Sequence, residues 1–465
     1  MFKYHPLAAA LLAAAILPAP AMAADSDLQQ LRTEIEQLRA GYAAQMNALE
    51  ARLKKAEEAT AAAQASAAQA RETAQQAAAA PAAAPQAATP AASAGAFNPG
   101  VSLILSGQYG NLSKDPQKYR IANFAKGGEA GPVSRGFGLS ESELGLSANI
   151  DHLFYGQANF SISPDNEVAA EEAFVQTTAL PAGFTIKSGR FFSGIGYLNE
   201  QHSHTWDFVD APLAYQAFLG NQFSQDGVQL RWLAPTSTYL ELGSELGKGN
   251  RFPGTDSSRN GAGARAVFAH VGGDVGLSNS WRAGVSWLRM QPQNRSADDI
   301  DLNGASVSNS FTGSSRLLVG DFIWKWAPNG NGERTNLKLQ GEYFRRHESG
   351  SLIYDTAATA SAGDYRSAQS GWYVQSVYQF MPAWRVGARY DRLDSGRVDY
   401  GSNSASLGAT SFSPNKRSLM IDWSPSEFSR LRLQFARDKS VDEVADRQIV
   451  LQYQMSLGAH GAHSY

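Results

Sequence analysis

Four side chains that can ligate a metal fall within nine positions of this 465-residue chain: His202, His204, Asp207 and Asp210. Imidazole and carboxylate together suit a borderline cation such as zinc. The competing reading is ordinary hydrogen bonding, because a His-x-His in a loop is not a closed ligand set. His460 and His463, in a Gly/Ala tail, repeat the theme. No nucleophile with a base and an orienting acid stands out, so no catalysis is expected, and no cofactor beyond zinc as a bound or transported ion. The stretch around the first cluster, 192–226, also carries Tyr197, Trp206, Phe208 and Tyr215. It is too aromatic to remain in water, and long connections of this kind are usually functional. Folding inward to narrow a pore is its expected role.

Whatever holds that loop must be built from what surrounds it, which is a series of short segments alternating apolar and polar residues between Gly, Asn, Asp, Ser and Pro. Sixteen are expected, at 101–110, 138–150, 153–163, 167–178, 184–191, 227–233, 239–248, 264–276, 280–290, 316–327, 335–347, 370–380, 383–393, 416–423, 430–437 and 447–458. Their connections alternate between short and long, with only 164–166 breaking the rule, as in a membrane barrel with tight periplasmic turns and longer external loops. Eight of the nine Trp (232, 281, 287, 324, 326, 372, 384 and 423) lie on these segments, mostly near their ends and on the apolar parity, where a lipid-interface girdle wants them. The expected fold is therefore an all-β transmembrane barrel of about 16 antiparallel strands, residues 98–465.

The polar parity then becomes the lumen lining. It places Glu141, Glu143, Glu171, Glu241 and Glu245 inward on one side and Arg282, Lys338, Arg385, Arg389 and Arg432 inward on the other. Opposed charge across a pore creates a transverse field that favours small polar or zwitterionic solutes. The plainer reading is that the charges pair and solvate the wall.

Before the barrel, residues 1–23 read as a cleaved signal peptide: an apolar run closed by Ala21-Met22-Ala23 and too short to span a bilayer. From 24 to 58, apolar residues recur every three or four positions, the seam of a short coiled coil in the periplasm that asks for sister copies of itself. Residues 59–97 are an Ala/Pro-rich linker unable to build a core. Cysteine is absent, so no disulfide framework is available, and 40 basic against 43 acidic residues give no patch for nucleic acid. The chain ends on Tyr465, a terminal aromatic of the kind the barrel-assembly machinery reads.

Signal peptide, coiled coil, tether and sixteen-strand barrel together resemble the phosphate- and carbohydrate-selective porins. That resemblance implies a homotrimer in the outer membrane of a Gram-negative bacterium, with the third external loop folded inward. The segments 97–105, 197–208 and 457–463 look like a group of proteobacterial outer-membrane proteins labelled zinc-regulated TonB-dependent receptors. A receptor of that type has an N-terminal plug of over a hundred folded residues, and here a coiled coil and a tether stand in its place. Three functions are thus carried forward: a diffusion channel for small polar solutes or ions, a receptor or channel in zinc uptake, and a tether from outer membrane to cell wall.

Overall fold

Alternating strands are stable only if each face meets a suitable medium and no edge is left unpaired, and the computed structural model meets both conditions by closure. It describes residues 99–458 apart from 166, 256–259 and 443, together with the single position Lys54. The expected signal peptide, coiled coil and linker, and the tail residues His460, His463 and Tyr465, lie outside the described residues.

Eighteen strand segments form one sheet. Gly136–Leu139 and Ser142–Asn149 both pair with the first strand, and Asn279–Met290 and Arg295–Ile300 both pair with Ser306–Trp326, so each couple is one interrupted stave. Sixteen staves result. We number them β1 (Gly100–Leu112), β2 (Gly136–Leu139 with Ser142–Asn149), β3 (Phe154–Ile162), β4 (Val168–Thr177), β5 (Phe184–Phe192), β6 (Ser224–Leu233), β7 (Tyr239–Gly247) and β8 (Ala264–Val275). The second half comprises β9 (Asn279–Met290 with Arg295–Ile300), β10 (Ser306–Trp326), β11 (Asn336–Tyr354), β12 (Ser361–Met381), β13 (Trp384–Asp399), β14 (Asn415–Ser426), β15 (Ser429–Val441) and β16 (Val444–Gly458). Each pairs antiparallel with its neighbours, and β16 returns to β1 in a register running from Ser102↔Gly458 to Leu112↔Gln448. Every expected segment is one of these staves.

One face of the staves is apolar and exposed. Val285, Leu318, Phe322, Val374, Leu419, Leu431, Phe435, Leu451 and Tyr453 all point outward into the medium. A surface of this kind needs lipid. Indoles gather at the end of the barrel where the turns are short: Trp281 faces Trp324, and Trp384 faces Trp423 with ring centroids 6.0 Å apart.

Two features depart from the expectation. Staves β10 to β13 run well past their expected outer ends; β10 begins at Ser306, where Ser, Asn, Thr and Gly predominate. The outward parity there is Ser306, Ser308, Ser310 and Thr312, and on the buried parity only Val307 and Phe311 are apolar, which leaves too few apolar positions for a period of two to be read. The connection 193–223 also contains a short helix, α1 (Leu213–Leu219), with all seven residues buried. Being apolar all round and under two turns long, it leaves no helical period to read.

Candidate functional site

The site is the 193–223 connection, which leaves β5, lies against the inward faces of several staves and returns to β6. Its entry is fixed by Glu245 on β7, whose carboxylate accepts from Ser193 Oγ at 2.6 Å and from the Gly194 amide at 2.8 Å. Glu342 on β11 then accepts the amides of Tyr197 and Leu198, both at 3.1 Å, and the hydroxyl of Tyr215 at 2.9 Å. One carboxylate thereby gathers two stretches of the loop eighteen residues apart.

The loop next runs along β2 and β4. Ser203 Oγ donates to Glu141 at 2.5 Å. His202 places Nε2 3.0 Å from Glu172 and Nδ1 3.1 Å from Glu143, with Glu171 at 3.6 Å. His204 Nδ1 lies 3.1 Å from the same Glu143 oxygen. Burial alone would lower the His202 pKa, but hydrogen bonds to Glu143, Glu171 and Glu172 hold it well above the ordinary imidazole value. Glu143, His202 and His204 each offer a ligand atom, all within 4.8 Å of one another, so they could hold a metal ion.

After Trp206 the chemistry reverses. Asp207 pairs with Lys338 and, at 3.2 Å, with Arg385; Asp210 pairs with Lys416 at 2.7 Å and Arg389 at 3.1 Å. Burial would push both carboxyls up, but Lys338 and Arg385 hold Asp207 down at about 2, and Lys416 and Arg389 hold Asp210 lower still than an ordinary carboxylate. The loop's carbonyls are gripped as well: Arg430 donates to His204 O at 2.7 Å, Arg432 to Trp206 O at 2.9 Å and Arg389 to Asp210 O at 2.8 Å.

The remainder of the loop packs on apolar side chains. Ile195, Leu198, Leu213, Phe218 and Phe223 cluster with inward-facing Leu317, Val319, Phe344, Tyr373 and Leu393, and with Ile121 and Phe124 from the 113–135 connection. A lumen is normally polar. Here the inward parity turns apolar where the loop covers it.

No family model matches the chain. In sequence it is similar to an uncharacterized protein of Aquifex aeolicus (strain VF5), 29% identical over 401 residues that cover 80% of each chain. Among solved structures, its fold is similar to OmpT, an outer membrane protein of Vibrio cholerae in a trimer form, at 10% identity and a TM-score of 0.48, covering 77% of this chain and 99% of that one. It is also similar to the outer membrane channel DcaP of Acinetobacter baumannii (11%, TM-score 0.47, 77% and 97% covered) and to an anion-selective porin from Comamonas acidovorans (9%, TM-score 0.46, 77% and 99% covered). These are likenesses of fold alone.

The charged residues expected inward are all on the lumen side, and the loop meets nine of the ten directly. Arg282, for instance, donates to Gly196 O at 3.1 Å. Glu241 is the exception: it binds Arg231 at 3.2 Å and His270 at 3.1 Å, and reaches the loop through Arg231, which pairs with Glu200. The four aromatics are buried rather than lining an opening. Tyr197 sits under Arg282, Phe208 under Arg389 with Val377 and Met420, and Trp206 and Tyr215 in the apolar cluster.

The four-ligand metal set His202, His204, Asp207 and Asp210 is split. The two histidines face carboxylates and the two aspartates face cations, so the aspartates are already neutralised and turned away. Glu172 escapes a sequence reading for a physical reason. By strict alternation Glu171 and Glu172 cannot both face inward, but β4 bulges here, with Asn159 opposite Glu172 and Phe160 opposite Ala170. A bulge sets two residues against one and brings both acids to the histidine. Glu342, Arg346, Asp391, Lys416 and Asp422 lie on the legible inward parity and needed only to be counted.

Proposed function

We propose that the chain forms an outer-membrane channel for small polar solutes or ions, with 193–223 as its constriction. One observation carries this: the loop presents donors to the carboxylate wall and acceptors to the cationic wall, which gives it a fixed course across the inside of a barrel whose outer face requires lipid. A loop held this way narrows the path and leaves charged side chains such as Arg282, Lys338 and Arg385 partly exposed beside it. Fixed charge beside a narrow path is how selectivity is set in other pores. Single-channel recording of the full chain in a planar bilayer tests the reading. Steady conductance that rises when Asp207 and Asp210 are both changed to Asn supports it; a wild type that inserts but never conducts, with a double variant equally silent, overturns it.

A second reading is favoured by one cluster. Glu143, His202 and His204 could bind zinc on its way through the barrel, with Glu171 and Glu172 as neighbouring acceptors. The ion would displace the proton that His202 now shares with glutamate. Micromolar zinc should then block or slow conductance in the wild type and not in His202→Ala/His204→Ala, and an identical response in both removes this reading while leaving the channel intact.

A further inference from the structure

The outward face of the barrel carries a pattern that the channel does not use. On β8, β9 and β10 the register sets Arg265 opposite Arg289 and Arg289 opposite Arg316. On β14, β15 and β16 it sets Arg417 opposite Arg437 and Arg437 opposite Arg447. All six are exposed and point away from the lumen. Side chains directly opposite across an antiparallel pair are about 5 Å apart at Cβ, and like charges there repel. Among the described residues, none of the six has a carboxylate within the 4.0 Å of an ion pair.

Their level on the barrel is specific. Two residues further toward the short turns, each arginine is followed by an exposed apolar side chain: Val267, Trp287, Leu318, Leu419, Phe435 and Ile449. The arginines therefore mark the boundary of the apolar band at the end with the long connections. Between the two triplets the arc continues. Arg316, His347, Arg366 and Arg397 surround a depression of about 610 Å³, also lined by Ser349, Ser367, Glu348 and Asp399. Glu348 is already bound to Arg295 at 2.7 Å. On the opposite side of the barrel the same level holds Asn111, Phe137, Ile162 and Val168 with two arginines that do not face each other: Arg135, which donates to Leu112 O at 3.2 Å, and Arg190, which is paired with Asp226 at 2.6 Å.

We propose that the β8–β16 arc is a docking belt for net-anionic, phosphate-bearing lipid headgroups of the outer leaflet, with the depression lined by Arg316, Arg366 and Arg397 as one seat. The inference rests on the reading that the barrel sits in an outer membrane with its long connections outside. A guanidinium fork matches phosphate oxygens in two parallel bonds, and an anion between facing arginines turns their repulsion into a shared attraction. Carboxylates on the protein would have relieved the same repulsion. Their absence from both triplets leaves the surrounding medium to supply the negative charge.

The test compares the full-length wild type with Arg289→Gln/Arg437→Gln, the centres of the two triplets, in phosphatidylcholine vesicles with and without phosphatidic acid. With phosphatidic acid, the variant should retain the anionic lipid about five-fold more weakly for each arginine removed, read by native mass spectrometry. In phosphatidylcholine alone the order should invert, with the variant unfolding at a higher temperature than wild type because facing charges have been removed. Equal lipid retention by the two proteins, or wild-type stabilisation by millimolar inorganic phosphate as large as that by the lipid, overturns the belt. Failure of both proteins to insert into phosphatidylcholine would instead overturn the membrane-barrel reading beneath it, and the belt with it.

Discussion

The two limbs of the buried loop are opposites. From Gly194 to His204 its side chains and amides chiefly donate to the carboxylates of β2, β4, β7 and β11, with Gly196 O, Glu200 and His204 O as the acceptors that meet Arg282, Arg231 and Arg430; from Trp206 to Asp210 it offers carbonyls and two aspartates to the arginines and lysines of β11 and β13 to β15. A shift of the loop by a few residues would bring aspartate to glutamate and histidine to arginine. The arrangement therefore fixes the threading by chemistry as much as by shape, and each limb can be broken separately.

The largest effect is expected at Asp210. Its partners Lys416 and Arg389 have side chains only 2% and 1% exposed, so Asp210→Asn strips a shared counter-charge from two desolvated cations. Removing one member of a buried pair costs about 3–5 kcal/mol. Asp391 on Arg389 and Asp438 on Lys416, at 3.0 and 3.4 Å, place this case at the lower end. The loop should detach on that side, giving larger and noisier conductance and a new protease cut within 206–212.

Glu342→Gln comes next and tests the other limb. The carboxylate accepts two backbone amides and two tyrosine hydroxyls, and an amide cannot accept with both of its ends. Buried acceptors lost in this way cost about 1–3 kcal/mol. We expect a lower unfolding temperature with a conductance change smaller than that of Asp210→Asn. The reverse order would mean that the hydrogen-bonded limb, and not the charged one, sets the position of the loop.

Much of this was legible and some was not, for physical reasons. The staves could be read because a two-sided environment writes a period of two into the sequence; Leu318, Phe322 and Trp324 alternate with inward Val319, Asp321 and Ile323. The same logic failed where the outward face has no apolar residues, as in the outer half of β10, and where the backbone breaks step, as at Glu171 and Glu172. For the loop, the residue types were readable and their partners were not. His202 and Asp207 look like one ligand set in sequence, and only the fold shows that they face opposite charges.

Asp207 lies on the same limb as Asp210, but its partners Lys338 and Arg385 have side chains 22% and 27% exposed, so water screens part of the pair. Asp207→Asn should therefore cost less than Asp210→Asn, on the order of 1–2 kcal/mol. Its pH dependence has a definite sign. The folded-state pKa, about 2, lies below the ordinary aspartate value of 3.8, so the contribution is fully present above about pH 4 and is lost as pH falls through about 2. The difference in conductance between the wild type and Asp207→Asn should be constant from neutral pH to about pH 4 and close below it.

The smallest effect is expected from His204→Ala in metal-free buffer. His204 shares Glu143 with His202, so its removal leaves the carboxylate with its other imidazole partner at 3.1 Å. Loop position and conductance should change little, since the neighbouring grip of Arg430 is on the backbone carbonyl of this residue and survives the substitution. Zinc reverses the ranking if it binds: three ligands fall to two, and affinity should drop at least ten-fold by isothermal titration while Asp210→Asn leaves it nearly unchanged. A variant that loses conductance control without zinc would show instead that the carboxylate limb depends on both rings, making the histidine pair a structural clasp.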